Sequence, residues 1–144
     1  MSKREIKFNP DGTIELDVAI IGAVVSKDYV TLGELKSTLI GLYDGQNWFS
    51  IGKCFKGYSK KIKNQILDLP SMSTQPSNIK GGEANLWFEN PSIFISIKFK
   101  TFKPTKGYEL SPQSGKGISV ITPTFLKEAS SVHEVESFLK VIKK

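Results

Sequence analysis

Apolar positions along the chain fall into two periods. Leu16–Val25, LDVAIIGAVV, is an unbroken apolar run rich in β-branched residues. It predicts a buried strand, with Gly22 at a bulge or bend. Glu34–Tyr43, ELKSTLIGLY, predicts a second strand, again with an internal glycine, Gly41. Asp44-Gly45-Gln46-Asn47 supplies the turn into a third strand, Trp48–Lys53. Trp48 and Phe49 point to opposite faces of that strand, so at most one of them is expected in the core. Ser92–Phe102 alternates most clearly, with Ile93, Ile95, Ile97 and Phe99 set against Phe94, Ser96, Lys98 and Lys100. One face of it is buried and the other turns basic. Gly117–Leu126 is a last strand, and Pro123 puts it at an edge or ends it.

Two stretches carry helical spacing. In Ser59–Leu69 the residues Ile62, Ile66 and Leu69 share a side, and Ser59 is placed to cap the N-terminus. In Val132–Ile142 the stripe is Val132, Val135, Phe138, Leu139 and Ile142, with Ser130 or Ser131 as cap. His133 lies off that stripe and is expected on the surface. Ser26–Leu32, Pro70–Gly82 and Lys103–Lys116 read as loops, and Met1–Glu15 is polar around the turn Asn9-Pro10-Asp11-Gly12. Three strands, a helix, two strands and a closing helix is the order of an OB-fold. The expected fold is therefore mainly β: a five-stranded OB-fold barrel with a helix between strands 3 and 4 and a C-terminal helix. Residues 1–15 are expected as an N-terminal arm or hinge segment, and 16–144 as the OB-fold domain.

Composition narrows the function. The 144 residues suffice for one domain with a core. No apolar run approaches the ~20 residues that span a bilayer, and the N-terminus carries no secretory pattern, so a soluble, intracellular protein is expected, cytoplasmic or nuclear. One cysteine, Cys54, fits a reducing compartment. A net charge of +6 suits a polyanionic partner. Among the 20 basic residues only Arg4 is arginine. Lysine attracts phosphate as a point charge, whereas arginine reads base edges, so backbone contact with little sequence preference is expected.

Catalytic chemistry is sparse. One histidine and one cysteine make no zinc cluster, and no phosphate-binding glycine loop occurs. Asp17, Asp28 and Asp44 fall at expected strand ends or turns, where carboxylates serve the local backbone. Lys53 and Lys56 flank Cys54 and favour its thiolate, but no histidine lies near it in sequence to serve as a base. No cofactor, metal or self-sufficient catalytic site is expected.

Several of these stretches together are similar to one family. Leu16–Ala23, Gly33–Asp44, Ser50–Lys53 (SIGK) and Gly57–Ser59 (GYS), with the later LWFENPSIFISIKF, resemble the C-terminal OB domain of ATP-dependent DNA ligases. The resemblance runs from about Leu16 to the C-terminus. It implies an OB-fold that packs against the minor groove of nicked duplex DNA. The family's last motif, rich in arginine and acting on ATP phosphates, aligns with ITPTFLKEASS. Pro123 and Phe125 match it. Ile121 and Thr124 stand in place of arginines, and Thr122 stands in place of a phenylalanine that abuts the minor groove. The adenylation domain with its nucleophilic lysine is absent from this chain. The resemblance thus implies a non-catalytic DNA-binding module, or an accessory piece that completes a ligase with a separate adenylation domain.

The candidate nucleic-acid-binding residues follow. Lys53 matches the family's SIGK lysine, and Lys27 matches a basic position in the first loop. Lys56 continues the cluster, with Lys60, Lys61 and Lys63 behind it. Lys98, Lys100, Lys103 and Lys106 lie along one strand and its exit, where alternate residues are ~6.6 Å apart, close to the phosphate spacing of a nucleic acid strand. Phe55 and Tyr58 are candidate stacking platforms, and Trp87 is expected in the core. The expected partner is DNA, whether duplex, nicked or single-stranded, with a ligase adenylation domain as a second partner and no membrane.

Overall fold

A computed structural model describes residues 6–25, 35–105 and 117–142. Lys27, Asp28 and Lys106 lie outside the described residues. Among the described residues, ten strands and two helices follow one another in chain order. They are β1 (Lys7–Phe8), β2 (Ile14–Val25), β3 (Leu35–Tyr43), β4 (Trp48–Cys54), α1 (Lys60–Leu67), β5 (Ile79–Lys80), β6 (Leu86–Trp87), β7 (Phe94–Phe99), β8 (Thr101–Thr105), β9 (Gly117–Ile121), β10 (Thr124–Ala129) and α2 (Val135–Ile142). The mainly-β expectation holds; α1 falls where the spacing put it, and α2 begins at Val135, three residues later than expected and too far on for Ser130 or Ser131 to cap it.

β2 is the spine. One edge pairs with β7 through Ile14–Ala19 and then with β6 at Gly22 and Ala23. The other edge pairs with β1 at Ile14 and Glu15 and with β3 from Ala19 onward. The main sheet runs β10-β7-β2-β3-β4-β5, and β8 and β9 form a separate two-stranded ribbon. This sheet is open, where a closed five-stranded barrel was expected. Its ends approach at one place. The Phe125 N–H donates to the Lys56 carbonyl at 2.8 Å, and an isolated parallel bridge joins Lys56 to Thr124.

Alternation along the strands sorts side chains onto two faces. Leu16, Val18, Ile20, Phe49, Ile51, Ile95 and Ile97 enter one core together with Ile62 and Ile66 of α1 and Phe138 of α2. Ala19, Ile21, Leu39, Trp48, Ile79 and Trp87 form a second, smaller cluster. The central strand is therefore covered on both faces, which is why its sequence is apolar without alternation. Trp48 and Phe49 are both buried for the same reason, on opposite sides of β4. Trp87 is in the core as expected.

The strand expected at 92–102 divides at Lys100, and its continuation leaves the main sheet as β8. The last strand likewise divides around Thr122 and Pro123 into β9 and β10. The segment expected as an arm, 1–15, belongs to the fold from Ile6 onward, since Ile6 and Ile14 are buried in the main core. Among the described residues no helix is long and apolar enough to cross a membrane.

Candidate nucleic-acid interface

β4 carries the cluster to the surface through a change of register. Ile40 pairs with Gly52 but Gly41 pairs with Ser50, so Ile51 is the extra residue of a bulge. The bulge resets the alternation. Lys53 turns outward and is exposed, while Cys54 turns inward. Gly52 adopts φ +146°, and a Cβ there would lie 2.9 Å from the Val120 side chain and 3.2 Å from its carbonyl oxygen. Only glycine lets β9 cross β4 this closely. Gly57, at φ +94°, makes the same allowance for Phe125, whose carbonyl oxygen would stand 2.6 Å from a Cβ.

Beyond this crossing the chain enters α1. The Ser59 hydroxyl accepts from the Ile62 N–H at 3.3 Å, the N-cap expected from the sequence. Ile62 and Ile66 face the core, and Lys60 and Lys61 face solvent. The first turn of α1 contains no acidic residue and its last turn no basic one. That is the reverse of what the helix dipole favours, because Lys60, Lys61 and Lys63 stand at its positive end.

Phe55 is 52% exposed, with the Lys63 ammonium 5.5 Å from its ring centroid. Both line a groove of about 320 Å³ between the start of β3 and α1, together with Leu35, Lys36, Lys60, Asn64 and Leu67. None of the described residues that line it is acidic. Lys36 and Asn64 were not singled out by sequence. The hairpin Asp44–Asn47 predicted the signal that finds Lys36, because antiparallel pairing returns the start of β3 to the exit of β4, with Thr38 opposite Cys54.

Tyr58 is not a platform. It is buried, its hydroxyl is 2.6 Å from Thr38 Oγ1, and its ring packs against Phe125 at 5.2 Å. Burial pushes its hydroxyl well above the ordinary tyrosine range, and the neighbouring Cys54 adds to this. Cys54 is likewise buried, and desolvation pushes its thiol up to about 11. The flanking lysines do not activate it, because Lys53 and Lys56 project to solvent while the thiol points inward toward the Pro123 carbonyl at 3.7 Å.

The expected lysine row of 98, 100 and 103 is not continuous. Lys98 lies opposite Glu15 in the ladder, and Lys98 and Lys100 add to the forces holding the Asp11 carboxyl below its usual range, after its bonds from Thr13. Bonds from Asn9 and Lys7, and the Lys127 charge, likewise hold the Glu15 carboxyl down. Positive charge here is balanced by the β1–β2 hairpin. Lys103 is exposed on the β8–β9 ribbon, paired with Ser119, beyond the break at Lys100. The structure therefore brings Phe55 together with Lys36, Lys60 and Lys63, beside Lys53 and Lys56, and it separates Lys98, Lys100 and Lys103 from one another's strand.

The ITPTFLKEASS stretch runs from the last residue of β9 through β10, with the corner between them at Thr122 and Pro123. Thr122 sits there at φ 43°, a left-handed conformation that a β-branched residue seldom adopts.

His133 and Asp17 also differ from expectation. Both are buried, and Asp17 lies within β2 rather than at its end. The Ser96 hydroxyl donates to the Asp17 carboxylate, and the Asp17 N–H donates to His133 Nδ1 at 2.8 Å. An imidazole whose Nδ1 accepts a main-chain bond is not aimed at a serine as a base, so these three residues build no hydrolytic triad. Among the described residues no group of three or more potential ligands could hold a metal.

No protein-family model matches the chain, and no curated protein matches it in sequence.

Proposed function

We propose that this chain is a non-catalytic DNA-binding module of the OB-fold type, holding the phosphate backbone through lysines with little sequence preference. The observation that carries this reading is the lysine surface around the β4 exit and α1. Lys60, Lys61 and Lys63 oppose the helix dipole, an arrangement that weakens the helix and favours an anion. Lys53 and Lys56 extend the same surface, and none of the described residues lining the groove between the start of β3 and α1 is a carboxylate. The strand order supports the OB-fold reading: β2, β3 and β4 form a meander, α1 follows, β7 returns beside β2, and β10 adds to the outer edge of β7. An isolated parallel bridge, Lys56 to Thr124, links the exit of β4 to the start of β10, and this contact between the third and last long strands supports the same reading. The similarity to the ligase C-terminal domain supports DNA as the polyanion, and the missing arginines of its last motif support a module without nucleotide chemistry.

Competition binding among nicked duplex, intact duplex and single strand, at two salt concentrations, tests the reading. Binding whose affinity falls steeply with salt is expected. A titration that shifts none of the three at low salt sinks it.

A further inference from the structure

The groove between β3 and α1 contains more than a phosphate contact needs. Charge alone would serve a backbone, yet its floor is apolar, from Leu35 and Leu67, and one wall is the exposed ring of Phe55. Lys36, Lys60 and Lys63 supply cations from two elements. Asn64 adds an amide that both donates and accepts. At about 320 Å³ the space lies at the small end of ligand pockets, the scale of one nucleotide rather than several.

We propose that this groove captures one unpaired nucleotide of a DNA strand, with its base on Phe55 and its flanking phosphates on Lys36, Lys60 and Lys63. The inference rests on the DNA-binding reading and names the substrate class for it. A base inside a duplex is stacked on both faces and offers none to Phe55, whereas an unpaired base offers one. Lys63 already stands over the ring, so a stacking base replaces an exposed cation–π contact and leaves the ammonium close to the arriving phosphate. An acidic peptide would satisfy the lysines but would not require a planar partner for the ring. The module therefore selects gapped, frayed or single-stranded DNA over intact duplex.

Fluorescence anisotropy with labelled oligothymidylate and with an intact duplex of equal charge tests this on the full chain. Phe55→Ala is expected to weaken single-strand binding roughly five- to a hundredfold while duplex binding is unchanged. Phe55→Trp restores the single-strand affinity. Lys53→Ala, outside the groove, weakens both ligands alike. Circular dichroism checks that each variant folds, which the exposure of Phe55 and Lys53 favours. Equal loss for both DNAs on Phe55→Ala, or no loss for either, overturns the inference while leaving the DNA-binding reading intact. A polyglutamate of equal charge that competes as well as the oligonucleotide also overturns it. Wild-type chain that binds neither DNA at low salt overturns the parent reading itself.

Discussion

Asp17 and His133 are joined by two reciprocal bonds across 116 residues of chain. The Asp17 amide donates to the imidazole Nδ1 at 2.8 Å, and the His133 amide donates to the Asp17 carbonyl at 2.9 Å. Between its pairing with β1 at Ile14–Glu15 and with β3 from Ala19 onward, that edge of β2 has no strand of the described residues beside it. The segment before α2 supplies the missing partner. The Nδ1 acceptor fixes the neutral ring with its proton on Nε2.

His133→Ala leaves the buried Asp17 N–H without its acceptor and is expected to cost about 1–3 kcal/mol. Asn at this position keeps a short acceptor and should recover part of the loss. Thermal unfolding reads the stability. Hydrogen exchange at the Asp17 amide reads the bond itself, and unchanged protection there would contradict this account.

Alkali should loosen the fold. Burial raises the Cys54 thiol from 9.0 to about 11 and raises the Tyr58 hydroxyl well above 10.0. Both folded-state values lie above the unfolded ones, so the folded chain holds these protons more tightly. The Cys54 contribution is complete below about pH 9 and is lost as the pH rises through about 11, while that of Tyr58 is complete below about pH 10 and is lost only above it. Urea denaturation midpoints are expected to fall over that window, and less so in a Cys54→Ala, Tyr58→Phe double variant. The buried thiol should also resist alkylation at neutral pH until the chain is unfolded.

The charges at the start of α1 set stability against binding. Lys60→Glu places an acid at the positive end of the helix and is expected to stabilise the protein by about 0.3–1 kcal/mol. The same change should weaken DNA binding and flatten its salt dependence, since each lost contact to a single strand removes about 0.7 from the slope. A variant that gains stability without losing affinity would remove Lys60 from the interface.

Two backbone positions near the crossing of β4 and β9 should respond in opposite directions. Gly52→Ala combines a positive φ with a Cβ pressed on Val120, and a loss of about 1–3 kcal/mol is expected. Thr122→Gly relieves a left-handed β-branched residue and should gain up to about 1 kcal/mol. Calorimetry on the two variants gives both signs directly.

Much of the framework was legible because it obeys local rules. The β2–β3–β4 meander follows from apolar runs and the Asp44–Asn47 turn, and α1 from its cap and spacing. The division at Lys100 was hard to read, because neither glycine nor proline marks it and the only sign is a slip in the alternation between Phe99 and Phe102. His133 was misplaced because a helical wheel was extended over residues that precede the helix, which begins only at Val135. Trp48 and Phe49 were weighed against a sheet with one covered face, whereas β4 has two. The same limit applied to the interface. Phe55 and the lysines of α1 are neighbours in sequence, but Lys36 joins them only through strand register.

The pairing of β2 has a consequence for how the chain reaches this state. β3 lies one hairpin away, but β7 arrives only after most of the chain, with Leu16 opposite Ile97. Contacts so distant in sequence close slowly, so the early meander is expected to wait with the Ile14–Ala19 edge of β2 bare. That edge leaves its backbone unpaired beside Leu16 and Val18, the kind of template on which a second nascent copy adds its own strand. Yield on refolding should therefore fall as protein concentration rises, a vulnerability that belongs to the route and vanishes once β7 has docked.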